Sequence, residues 1–230
     1  MRMNGGEIMK AEIETVINAC RGDKDAFAKL YYCFYKDFYN FALYSLGNPE
    51  DAADVVADAF VEIWRNIGKL RSPEAFSAWA FKILSIRCKN EISKKAERRG
   101  FYNFEELTEI PSPGSENFED EIAESTILAA ALGELNPEER MIVVLSVIYG
   151  YTRREISKII GKPQGTVGSK LFRAYEKLKK FMEQRSSAEK RSSLLYIILD
   201  ILFRRQSQKP LDFLLQDFEV PWHFLILAGA

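Results

Sequence analysis

The sequence predicts an all-α fold in two helical parts, on three observations. Apolar residues recur at intervals of three and four rather than two, which is the helical period. Residues that break helices are sparse, with 13 Gly and 8 Pro in 230 residues. Between Asn103 and Ser125 the helical pattern stops, giving way to eight acids, no Lys or Arg, and Pro111, Pro113 and Gly114. Such a stretch has too little apolar surface to offset the entropy of ordering it, so it reads as an acidic flexible linker between two domains. The 47% hydrophobic and 28% charged content suits a folded globular chain.

The first domain contains three long segments. Residues 24 to 47 are dense in Phe and Tyr and end on Gly47 and Asn48, so they read as one buried helix or a bent pair. A second helix is expected from Pro49 to Ile67. Val55, Val56, Ala59, Phe60, Ile63 and Ile67 form its apolar stripe, while Asp51, Asp54, Asp58 and Glu62 share another face at i, i+3, i+7 and i+11. Gly68 to Pro73 is a connector. The third helix, from Pro73 or Glu74 to about Lys95, is aromatic early, at Phe76, Trp79 and Phe81, and basic late, at Lys82, Arg87, Lys89, Lys94 and Lys95.

After the linker, Asn136 reads as an N-cap with Pro137 in the first helical position and Glu138 and Glu139 in the first turn, where the helix dipole favours them. A helix from 137 to about 149 follows. Next come TRREISKII, then Gly161, Lys162 and Pro163, then QGTVGSKLFRAYEKLKKFM. Two amphipathic segments on either side of a glycine turn have the form of a helix-turn-helix. Ile156, Ile159 and Ile160 can pack on Val167, Leu171, Ala174 and Leu178, leaving Thr166, Ser169, Lys170, Arg173 and Lys177 on the other face. From Arg153 to Lys180 there are nine basic residues against two acids, a footprint that attracts a phosphate backbone.

Charge and composition also exclude functions. The net charge is -1, so any nucleic-acid affinity must be local. Cys20, Cys33 and Cys88 are odd in number and widely spaced, which argues against a disulfide framework or a zinc site and fits a reducing, cytoplasmic setting. The single histidine, His223, removes most hydrolase and metalloenzyme chemistries. A metal-free, non-catalytic protein without a cofactor is expected. The N-terminus has acids inside its apolar stretch and does not read as a signal peptide.

The helix-turn-helix suits the major groove, which admits one helix bearing small and basic residues on its exposed face. Thr166 and Ser169 sit where base edges would be met, Lys170 and Arg173 can reach acceptors or phosphates, and Arg153 and Arg154 can clamp the backbone. A basic hairpin with a solvated face has the same composition. The acidic face 51–62 is equally compatible with solubility, and it lacks the glycine and histidine of common metal sites. Aromatics and cations together on the helix from 76 to 95 suit unpaired bases, although Trp64, Phe76, Trp79 and Phe81 also fit a core.

In order along the chain, AFAKLYYCFYKDFYNFA, PEDAADVVADAFVEIWRNI and FSAWAFKILSIRCKNEISKK, then ELNPEERMIVVLSVIYGYTRREISKIIGKPQGTVGSKLFRAYEKLKKFM, resemble the sigma-70 family of bacterial initiation factors in its extracytoplasmic-function group. The first three blocks resemble the second conserved sigma region and the last resembles the fourth. The resemblance implies domains at 12–98 and 127–182, a linker at 99–126 and an extension at 183–230. It implies core RNA polymerase and promoter DNA as partners, with an anti-sigma protein as a further one. Asp51, Asp54, Asp58, Phe60 and Trp64 would then bind polymerase. Lys69, Arg71, Ser72, Trp79, Lys82, Asn90 and Lys94 would meet the minus-ten element, and Arg153, Arg154, Thr166, Ser169, Lys170 and Arg173 the minus-thirty-five element.

Four positions depart from the family's usual residues: Ala57, Ile86, Gly168 and Lys170. Gly168 weakens a helix interior and Lys170 lacks the bidentate fork of arginine. The tail holds SSLLYIILDILFRR and LDFLLQDFEVPWHFLILAGA, each short or interrupted for a bilayer span. Packing on the domains or a partner, a membrane-surface anchor, and a segment outside the functional unit remain three readings of it. Two rival functions also stay open: an autonomous helix-turn-helix regulator acting without polymerase, and an enzyme using the acidic helix as a metal site.

Overall fold

Capping chemistry sets where the helices begin and end. The computed structural model describes residues 8–99 and 128–183, with no strand among them; the linker at 103–125 and almost all of the tail lie outside the described residues. Helix α1 (Ile8–Cys20) is one the sequence pattern did not single out. Asp23 then caps α2 (Lys24–Leu46), its carboxylate accepting from the amides of Asp25 and Ala26 at 2.9 and 3.1 Å. The aromatic segment is one continuous helix of 23 residues. It stops at Gly47, whose φ of 70° is strained for residues with a Cβ. Asn48 accepts from the Asp51 amide at 2.9 Å and, with Pro49, opens α3 (Pro49–Asn66).

Two 3₁₀ turns, Ile67–Lys69 and Pro73–Ala75, form the connector and lead into α4 (Phe76–Arg99). Helices α1–α4 enclose an aromatic core. Phe38, fully buried on α2, has ring neighbours Phe34, Phe60 and Phe81 at 5.1 to 5.7 Å. Burial also raises the Cys88 thiol well above its ordinary pKa.

The second group opens with α5, described over residues 128–133, and continues with α6 (Pro137–Val147), α7 (Arg153–Ile160) and α8 (Gln164–Glu183). Reciprocal capping boxes start both α6, with Asn136 and Glu139, and α7, with Thr152 and Glu155. Gly161, at φ 72°, closes α7 and makes the sharp turn into α8. Met141, Ile142, Leu145, Ile156, Ile159, Val167, Leu171 and Leu178 form an aliphatic core.

The groups meet along a seam in which α6 lies on α2 and α7 lies on α4. The loop between α6 and α7 fits a notch there. The Tyr149 ring lies 4.8 Å from that of Phe81, and its hydroxyl donates to the Asp37 carbonyl at 2.5 Å. Tyr151 shares a 2.5 Å hydrogen bond with Ser77. Burial raises both phenols, Tyr151 to about 12. Farther along, Ser85 donates to the Ile159 carbonyl at 3.2 Å and Lys89 to that of Ile160 at 2.6 Å. Lys89 thus sits on the carbonyl end of α7, where a cation is favourable. Its ammonium pKa is lowered, mainly by burial and partly by Lys162, with Glu138 opposing.

Candidate functional site

Helix α3 presents its acids unequally. Asp51 is ion-paired with Lys95 of α4, and Glu62 accepts from Arg87 of α4 at 2.7 Å. The two ends of the row therefore tie α3 to α4. Asp54 and Asp58, between them, are exposed. Phe60 lies in the apolar stripe as expected and is only 5% exposed. Its ring lies 4.6 Å from Tyr31 and 5.1 Å from Phe38, packed on the core with Val56 one turn before it. Trp64 does reach the surface at 36% exposure, its ring resting 4.8 Å from Phe27. The outward face of α3 thus offers two carboxylates beside Val61 and Trp64.

The connector and α4 form a second surface. Lys69 and Arg71 are exposed, and the Lys69 ammonium donates to Asn66 at 2.9 Å. Ser72 is spoken for by Glu74, donating to its carboxylate at 2.5 Å. That hydrogen bond lowers the Glu74 pKa. Along α4, positions 79, 82, 86, 90 and 94 share one face. Lys82, Asn90 and Lys94 are exposed on it, Lys94 beside Glu91 at 3.4 Å, while Trp79 is half-buried and packed on the core. Ile86 is also exposed on this face. The opposite face, with Phe81, Ser85 and Lys89, belongs to the seam.

The third surface is the helix-turn-helix. Arg153 and Arg154 are exposed at the start of α7. On α8, Ser169 and Arg173 are exposed, whereas Thr166 is half-buried and its carbonyl accepts from the Ser169 hydroxyl at 3.0 Å. Lys170 differs from the expected open contact: its side chain is 18% exposed, and its ammonium lies 3.0 Å from a Glu138 carboxylate oxygen. Lys162 lies 3.9 Å from the other oxygen of Glu138, and Lys177 donates to Glu139 at 2.7 Å. The physical reason is the packing of α6 beneath α8, which brings two first-turn acids against lysines 24 to 38 residues away.

The sequence pattern accounts for Glu138 and Glu139 through the helix dipole alone and gives no role to the seam residues Ser85, Lys89, Tyr149 and Tyr151. The two tyrosines around Gly150 were the available signal, since paired aromatics are unusual in a solvated loop. No spacing rule connects Glu138 with Lys170. Among the described residues, no group of three or more His, Cys, Asp or Glu is arranged to hold a metal ion. No described helix is long and apolar enough to cross a membrane.

Comparison with known proteins gives the same two blocks in the same order. The model for sigma-70 region 2 matches residues 30–98, and that for sigma-70 region 4 matches residues 125–178. The chain is 27% identical over 174 residues to the RNA polymerase sigma-H factor of Pseudomonas aeruginosa, covering 71% of this chain and 89% of that protein. It is 30% identical over 161 residues to the ECF RNA polymerase sigma factor SigE of Mycolicibacterium smegmatis, covering 67% and 61% of the two. Among solved structures, CnrH in complex with the cytosolic domain of CnrY has a similar fold, with a TM-score of 0.58 at 23% identity, covering 77% of this chain and all of that one. The sigma factor RpoE of Bartonella quintana, solved with the anti-sigma factor NepR, gives 0.57 at 21%, covering 71% and all of the two chains.

Proposed function

This chain belongs to the sigma-70 family of RNA polymerase initiation factors, in its extracytoplasmic-function group, and from that we propose that it binds core polymerase and directs it to promoters by recognising and melting their DNA. The observation that supports this best is the separation of three surfaces on one chain: exposed Asp54 and Asp58 on α3, the cationic face of α4, and the basic helix-turn-helix.

Under this reading Asp54, Asp58 and Trp64 engage polymerase, with Asp51 holding α3 in place through Lys95. Lys69, Arg71, Lys82, Asn90 and Lys94 hold the melted strand, and the half-buried Trp79 is the aromatic ring at hand for a base to stack on. Arg153, Arg154, Ser169 and Arg173 engage duplex DNA, Arg173 being able to make a bidentate contact with guanine or to grip phosphate. The work is done by binding energy, with no covalent step, in the compartment that holds polymerase and chromosome. An anti-sigma protein is a further partner of the same surfaces.

The seam sets a mechanical condition. Two elements centred about 25 base pairs apart are separated by about 85 Å at 3.4 Å per pair. A compact body of the described residues is only about 40 Å across. Engaging both elements at once therefore requires α5–α8 to leave α2 and α4. Residues 100–127 permit this, since a fully extended segment of that length reaches about 95 Å.

In vitro transcription with core polymerase on a library of genomic promoters tests the reading. The unaltered chain should activate a defined subset of templates. Asp54→Ala should lower output about tenfold on all of them, through weaker assembly, and Arg173→Ala should blur the preferred upstream sequence while leaving polymerase binding intact. No active template, or tight sequence-specific binding to DNA without any association with core polymerase, refutes it.

A further inference from the structure

We infer that Glu138, which lies outside every contact surface assigned above, is a positioning residue that restrains the DNA-facing lysines of the helix-turn-helix and so helps set both affinity and sequence preference. The inference rests on the proposed role of α8 in binding duplex DNA.

Two lysines, one from α8 and one from the turn before it, flank this one carboxylate. Lys170 of α8 lies 3.0 Å from one oxygen, and Lys162 in the turn lies 3.9 Å from the other. Lys89 of α4 is close enough for Glu138 to oppose the burial-driven lowering of its pKa. The first oxygen is occupied by Lys170, while the second is buried and accepts no hydrogen bond. Glu138 is therefore not needed to complete a local hydrogen-bond network. Nor does it cap α6, because Glu139 makes the capping box with Asn136. Beyond its favourable place in the first turn of α6, its charge holds the lysines.

The consequence follows from the partial burial of the pair. At 18% and 26% side-chain exposure, Lys170 and Glu138 are screened less than a surface pair. A phosphate or base acceptor approaching α8 must compete with the carboxylate for the Lys170 ammonium and meets the negative charge behind it. Arg173, one turn farther on, is exposed, so it dominates the contact. With the charge of Glu138 removed, Lys170 and Lys162 become available to neutralise phosphates, each adding about 0.9 to the slope of log affinity against log salt.

The test compares the full chain with Glu138→Gln, which keeps the size and an acceptor oxygen but removes the charge. Binding to a pool of random-sequence 30-bp duplexes is measured across salt concentration, alone and with core polymerase, followed by selection and sequencing of the bound DNA. Glu138→Gln should bind about 3- to 10-fold more tightly near 0.1 M salt, with a slope steeper by 1 to 2 and a changed preference at the base pairs that Lys170 reaches. Glu138→Asp, which retains the charge on a shorter stem, should lie between the two. In a Lys170→Ala background the gain should fall at least by half, a coupling that a merely structural effect on α6 would not produce.

Unchanged or weaker binding by Glu138→Gln, or an undiminished gain without Lys170, overturns the inference. If Arg173→Ala still alters sequence preference in that case, the role of α8 stands and only the restraint is lost. If no variant binds duplex DNA in either format, both fall together.

Discussion

Helices α1–α4 and α5–α8 solve the same packing problem with different materials. The first group uses long helices of 23, 18 and 24 residues for α2, α3 and α4 around phenylalanine rings. The second sets short helices of 11 and 8 residues, α6 and α7, beside the 20-residue α8, around Ile, Leu, Val and Met. A ring buries more area per residue and orients its neighbours, so a few phenylalanines can organise long helices. An isolated helix of 8 residues is well below the length at which nucleation is recovered. Both groups cap their helices, the first with Asp23, Asn48 and the left-handed Gly47, but the reciprocal capping boxes stand only at α6 and α7 among the described helices, where the helices are shortest. The short α6 and α7 thus lean on their caps more than the long helices of the first group do.

The largest effect that would break this contrast is expected at Phe38. Truncating it to alanine removes a fully buried ring with three ring neighbours and should cost about 3–5 kcal/mol, against about 1 kcal/mol for Ile156→Val in the aliphatic core. Urea unfolding followed by circular dichroism gives both values. A loss at Phe38 no larger than that for the single carbon removed at Ile156 would mean that the ring is not the packed centre of the first core. Because the seam joins the groups through Tyr149 and Tyr151, the Phe38→Ala chain should still unfold in one transition; two resolved transitions would show the seam to be too weak to couple them.

A smaller effect is expected at the caps. Thr152→Ala removes the oxygen that accepts from the Glu155 amide at 3.3 Å and the hydroxyl that donates to the Glu155 carboxylate at 2.7 Å, and should cost about 1 kcal/mol. Hydrogen exchange should show the loss concentrated in α7. A loss spread evenly over the chain would mean that α7 is held by the seam rather than by its cap.

The same division explains what could be read from the sequence. Local signals were legible: Asn48 with Pro49, Asn136 with Pro137, Gly47 and Gly161 mark helix ends in the sequence and in the fold, and the Asn136 cap lies where the pattern put it. The all-α class and the helix-turn-helix followed from period and punctuation. Pairings between distant elements were not legible. That Phe60 faces Phe38, that Asp51 meets Lys95, and that Glu138 meets Lys170 depends on how helices cross, and a helix with apolar residues on more than one side does not declare which side is outermost. Helix α1 was missed because its apolar residues are mixed with acids and its partner surface lies on α2.

The smallest predicted effect, and the one of opposite sign, is at Gly168. It lies inside α8 with ordinary helical backbone, since the positive-φ glycines among the described residues are Gly22, Gly47, Gly150 and Gly161. A methyl group there would meet one Arg153 guanidinium nitrogen at 3.8 Å, an ordinary van der Waals contact. Gly168→Ala should therefore stabilise the chain by about 0.5–1 kcal/mol, chiefly by restricting the unfolded backbone and favouring the helix. Gly161→Ala, at φ 72°, should destabilise instead, although there is open space around it, because the strain lies in the backbone. If both substitutions destabilise, α8 needs its glycine for a reason other than conformational freedom, and the contact with Arg153 becomes the place to look. If Gly168→Ala stabilises while leaving duplex binding unchanged, the glycine is a removable weakness in the recognition helix. A gain in stability with a loss of binding would instead mean that the close approach of DNA or of Arg153 to the bare backbone is what the missing side chain serves.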